Sequence, residues 1–203
     1  MKTICEVQQT IKDFYNEFKP AILFLARLLV TYIVLSQIYG FWVKGYETQP
    51  DPITKGVASQ VVGAMRLFYD NVSTEILEGD NSVRVWINGK PAGIAVYEGC
   101  NGVAIFYLFF AFLVGFWGGA KRLAWFSVLG IAIIHLFNLG RLLLLAYVAQ
   151  NHSQLFHFTH KYLFTLSIYV IVFALWIWWI RMIKPETKAE ENPQDTPPQN
   201  GVA

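Results

Sequence analysis

The 203 residues are 55% apolar and 16% aromatic, carry charge at only 15% of positions, and set 16 basic against 14 acidic side chains for a formal charge of +2. With a positive mean hydropathy, this composition excludes an ordinary soluble domain, and the lack of a basic stripe excludes a nucleic-acid binder. The expected fold is an all-α membrane protein: a four-span transmembrane helical bundle with a small extracytoplasmic amphipathic helix and a β-hairpin.

In chain order, residues 1–20 place Ile4, Val7, Ile11, Phe14 and Phe18 at helical spacing, which predicts a cytoplasmic amphipathic helix at the interface. Residues 21–184 form the transmembrane domain, with spans at about 21–43, 102–119, 123–149 and 162–180. Each approaches or exceeds the ~20 residues needed to cross a hydrocarbon core of roughly 30 Å. The first is read as a retained span because Glu6, Asp13 and Glu17 precede it and no small-residue cleavage site follows. Residues 185–203, with four prolines and many polar side chains, predict a disordered cytoplasmic tail.

Basic residues assign the sides. Lys2, Lys12 and Lys19 precede span one, Lys121 and Arg122 sit between spans two and three, and Arg181 and Lys184 follow span four. By the positive-inside rule the chain is multi-pass in the cell membrane with both termini cytoplasmic. Trp117, Trp125, Trp178 and Trp179 then fall near the inner interface and Trp42 near the outer one.

The long connection, residues 44–99, is therefore outside. In it Val57, Val61, Met65, Phe68 and Val72 make one helical stripe, lying either on the bilayer or on the bundle. Val83 to Ile87 and Ala92 to Tyr97 flank Asn88-Gly89, a dipeptide suited to a tight hairpin turn. That hairpin leads into Glu98-Gly99-Cys100-Asn101-Gly102.

Cys5 and Cys100, the chain's two thiols, fall on opposite faces and cannot pair. Cys100 is thus a free thiol on the oxidising side, in the first turn of span two, where the helix dipole favours a thiolate and Glu98 opposes it. The bland alternative is a small buried residue that is sulfur by chance. Gly99 and Gly102 leave room for a substrate backbone to approach.

Arg141 lies roughly 12 Å below the outer end of span three at about 1.5 Å per residue. It either faces a wet cavity or snorkels to the headgroups. Asn138, one turn away on the same face, favours a polar cavity, whereas His135 suits a hydrogen-bonded packing role. His152, His157 and His160 precede span four, and the last two are also one turn apart; imidazoles there can move protons near neutral pH. No second thiolate or close carboxylate completes a zinc set around them, so neither metal nor cofactor is expected.

Cys100-Asn101-Gly102, Asn138-Leu139-Gly140-Arg141 and His160, in this order along the chain, resemble the exosortase/archaeosortase family of membrane cysteine transpeptidases, as a short member. The resemblance covers roughly residues 95–180. It implies an enzyme cleaving a C-terminal sorting signal from membrane-anchored, exported proteins at the outer face. Cys100 would be the nucleophile, Arg141 the oxyanion partner and His160 the acid and base, with His157 as runner-up; Asn138, Gly102, Asn101 and Glu98 would support them. Two other classes remain: a non-enzymatic membrane subunit whose charged span docks a partner, and a thiol redox protein, which the lack of a second outer cysteine disfavours.

Overall fold

The structure, a computed structural model, describes residues 2–151, 154, 156 and 164–183. Helix α1 (Lys2–Val43) runs unbroken through Pro20. The sequence divides an interfacial helix from a span at this point, but one helix covers both. A proline removes one backbone hydrogen bond without ending a helix that its neighbours favour. A 3-10 turn (Lys44–Tyr46) closes α1.

Helix α2 (Pro52–Met65) begins where a capping sequence says it should. Asp51 accepts from Ile53 N at 2.9 Å and Thr54 N at 3.0 Å, and Pro52 occupies the first turn. Its buried face is Thr54, Val57, Ala58, Val61, Val62 and Met65. The expected stripe stops there, since Arg66 ends the helix and Phe68 is 76% exposed, while Val72 is buried as part of a strand.

Three strands follow, β1 (Val72–Glu75), β2 (Val83–Ile87) and β3 (Lys90–Val96), antiparallel in the order β1-β2-β3. Asn88 and Gly89 both take positive φ, 51° and 74°, between β2 and β3. The first strand has no counterpart in the sequence reading. Val83, Val85 and Ile87 of β2 and Ala92, Ile94 and Val96 of β3 all point inward. With α2 and Leu142, Leu145 and Ala146 of α4 (Ala120–Asn151) they form one apolar core, in which each fully buried Val or Leu contributes roughly 1.5–3 kcal/mol. Gln150 ties α4 to β3 by donating to the Pro91 carbonyl at 3.0 Å.

A second core joins α3 (Val103–Gly115), α4 and α5 (Phe164–Ile183) through Phe109, Leu113, Phe126, Ile134, Val172, Leu175 and Trp179. Trp179 is wholly buried there and donates to the Phe116 carbonyl at 2.9 Å. Helix α1 leans on α3 through aromatic contacts such as Phe24–Phe116, with ring centroids 4.2 Å apart.

Three helical segments are long and apolar enough to cross a membrane: Phe14–Tyr46, Ala120–Asn151 and Leu166–Ile183. The chain is thus a mostly helical, multi-pass membrane protein carrying a small open sheet. The stretch expected to be the second span is helical only over the 13 residues of α3, about 20 Å at 1.5 Å per residue. Gly118 and Gly119 lie outside any helix, and α4 starts directly after them.

Candidate functional site

The chain reaches Cys100 by leaving β3 at Val96, extending through Tyr97 (φ −131°, ψ 176°) and folding into a 3-10 turn, Glu98–Cys100. Cys100 N donates to the Tyr97 carbonyl at 2.7 Å and closes this turn. Gly102 then adopts φ +86° as the N-cap of α3, with its carbonyl accepting from Ile105 N and Phe106 N. Left-handed backbone of this kind favours glycine. Cys100 therefore precedes the helix instead of standing in its first turn, because the Gly102 bend intervenes.

Two polar clamps hold the strip. Asn138, buried on α4, donates its side-chain amide to the Cys100 carbonyl at 2.9 Å. Asn101, with no exposed surface, accepts from Val103 N at 3.0 Å and donates to the Tyr39 hydroxyl at 2.7 Å and to Thr54 Oγ1 at 3.2 Å. The Thr54 hydroxyl in turn donates to the buried Asp51 carboxylate, the same group that caps α2. Both amide hydrogens of Asn101 are used, which is what burial of that group requires.

On the other side of Cys100 stands Tyr97. The pKa of its phenol is raised, first by the charge of Cys100, then by hydrogen bonding with that side chain and by partial burial; the positive charge of Arg141 pulls in the opposite direction. Gly99 permits this fold-back, for a Cβ there would lie 2.6 Å from Tyr97 Cε2. The glycines serve protein contacts: a Cβ on Gly102 would likewise press on the Asn138 amide at 3.3 Å. Cys100 itself is 6% exposed and belongs to the apolar core beneath the sheet, whereas Tyr97 is 45% exposed.

Arg141 is half-buried and lines a cleft of about 430 Å³ with Leu136, Phe137, Gly140, Leu144 and, from α5, Ser167. Among the described residues no carboxylate pairs with it, the ion pair there being Arg84–Asp80. Asn138 and Arg141 thus do not share one polar cavity as their spacing suggested. The rotation between them along α4 turns Asn138 onto the Cys100 backbone and Arg141 towards α5. His135 binds Gln60 of α2 through Nε2 at 2.8 Å, the packing role expected of it. Glu98 is exposed at the start of the turn. His157 and His160, like His152, lie outside the described residues. Among the described residues no three His, Cys, Asp or Glu side chains converge on a metal position.

Sequence reasoning missed Tyr97, Tyr39, Thr54 and Asp51. Asp51-Pro52 carried a usable signal, a capping residue before proline, and would have announced α2 and its buried carboxylate. No local pattern could have linked Tyr39 to Asn101, which are 62 residues apart. No family model, curated protein or solved structure matches the chain.

Proposed function

We propose that the chain is a membrane-embedded cysteine transpeptidase or protease that cleaves a C-terminal sorting signal of exported, membrane-anchored proteins at the outer face. The observation that carries this reading is the Asn138 clamp on the Cys100 carbonyl at 2.9 Å, which fixes the thiol near Tyr97, a phenol whose pKa responds to the charges of both Cys100 and Arg141. The resemblance of Cys100, Asn138, Arg141 and His160 to the exosortase pattern agrees with it.

In this reading the Cys100 thiolate adds to the scissile carbonyl carbon, and the oxygen takes the electron pair as an oxyanion facing Arg141. Collapse expels the amine, which takes a proton from an imidazole, His160 with His157 as runner-up, and leaves a thioester on Cys100. An amine or water then attacks the thioester, gives its proton to that imidazole and releases the sulfur as thiolate. Tyr97 is a positioning residue: its protonated phenol donates to the sulfur and its exposed ring must swing aside for a substrate, because Cys100 is covered. The proposed topology has four crossings and cytoplasmic termini. The short α3 counts as one because protein covers both of its ends, the Cys100 turn at one and the Trp179–Phe116 bond at the other.

The test is Cys100→Ala in cells, following the size of surface proteins. Longer, membrane-retained precursors are the expected result, and unchanged processing contradicts the reading. A second reading, a non-enzymatic subunit docking a partner helix, draws on the burial of Cys100 and the open Arg141 cleft between α4 and α5. It predicts unchanged processing with loss of a complex in Arg141→Ala.

A further inference from the structure

An apolar groove of about 500 Å³, whose walls do not include Arg141, is lined by Leu35, Ile38 and Trp42 of α1, Val103 and Phe106 of α3 and Ile131 of α4. Such a volume lies within the ~300–1,000 Å³ of ligand pockets. Ile38 and Trp42 also line a second cleft of about 770 Å³, whose other walls include Lys44 and Tyr46. Ile38 and Trp42 are thus common to both walls, and the cleft beside the apolar groove carries an ammonium, that of Lys44.

Helix α1 fixes the depth of each end. Arg27 and Lys44 are 17 residues apart, about 25 Å at 1.5 Å per residue, and no charged residue separates them. That distance nearly matches a hydrocarbon core of roughly 30 Å, so the two cations bracket it and Lys44 lies at one headgroup level, beside Trp42 and Tyr46. Leu35 lies nine residues before Lys44, about 14 Å deeper and so close to the midplane. Leu35 and Lys44 are thus about one leaflet apart in depth, the reach of a single acyl chain below its headgroup.

We propose that the groove and the adjoining cleft together form a binding site for a single anionic glycerophospholipid, with one acyl chain in the groove from Trp42 to Leu35 and its phosphate on Lys44. Among the described residues no carboxylate pairs with Lys44, leaving the ammonium available to a phosphate. The site is independent of the catalytic reading. It nevertheless adjoins it, because Tyr39, which receives the Asn101 amide, forms part of the groove wall.

Native mass spectrometry of the full chain in detergent, titrated with dioleoyl phosphatidylglycerol and in parallel with dioleoyl phosphatidylcholine, tests the proposal. The expected result is one phosphatidylglycerol retained per chain, at least about tenfold more tightly than phosphatidylcholine. Lys44→Ala should remove the headgroup preference, and Ile38→Trp, which fills the groove, should abolish retention of either lipid. Lys44 is exposed, so its variant tests binding without disturbing a core. Equal retention of both lipids by the wild type, retention undiminished in Ile38→Trp, or a second polypeptide displaced by neither lipid would overturn it.

Discussion

Cys100 and Asn101 are neighbours in sequence with opposite surroundings. Asn101 is locked in a closed relay running from Asp51 through Thr54 to Tyr39, every amide group matched. Cys100 has its backbone clamped by Asn138 while its side chain sits in the apolar core and raises the pKa of the exposed Tyr97. One residue stabilises the junction of three helices; the next, the proposed nucleophile, is held through its backbone beside an exposed phenol. The difference teaches that a buried thiol and a buried amide at one turn serve different ends, and that substitutions should separate them.

The largest effect expected is on Arg141. Arg141→Ala should lower processing by roughly 100- to 1,000-fold, about 3–4 kcal/mol of barrier, with little change in melting temperature. Arg141→Lys should recover only part, because a point charge replaces a planar fork. On the other side, Asn101→Ala should cost about 3 kcal/mol of stability, read as a lower melting temperature in detergent, since Val103 N and Thr54 lose partners in a buried place. If both variants lost stability equally, the contrast between the two sides would fail.

Asn138→Ala tests the hinge between them. It should lower stability by about 1–2 kcal/mol and lower turnover beyond what that loss explains, because the freed Cys100 carbonyl lets the nucleophile drift. The smallest effect belongs to Tyr97. Its phenol is held above the usual tyrosine range by the Cys100 charge, so Cys100→Ala should bring its titration down towards pH 10 in ultraviolet absorbance. The sign follows from proton binding: the folded state grips this proton more tightly, so the stability tied to it is intact below the unfolded pKa and declines as pH rises through the folded one. An unchanged titration in Cys100→Ala would remove the thiol–phenol contact from the account.

Much of the fold was legible because membrane spans declare themselves through length and apolarity, and because Asn88-Gly89 needs positive φ that few other dipeptides tolerate. What escaped was set by tertiary packing. β1 is four residues with a single buried position, too short for alternation to show. The α2 stripe ran past its true end because Phe68 and Val72 keep the helical spacing by coincidence. Cys100, Asn138 and Arg141 stand out in the sequence by their chemistry and order, and the structure joins two of them, through the Asn138 amide on the Cys100 carbonyl. The division of labour between Asn138 and Arg141 could not be read there, since it depends on which neighbour α4 presents to each, the Cys100 turn or α5.

The most direct measurement is intact mass spectrometry of the purified chain after incubation with a membrane-anchored substrate ending in its sorting signal. The account predicts a covalent adduct on Cys100 that hydroxylamine releases, absent in Cys100→Ala and scarce in Arg141→Ala. A substrate that is processed with no such adduct, or that is processed equally by Cys100→Ala, would contradict it.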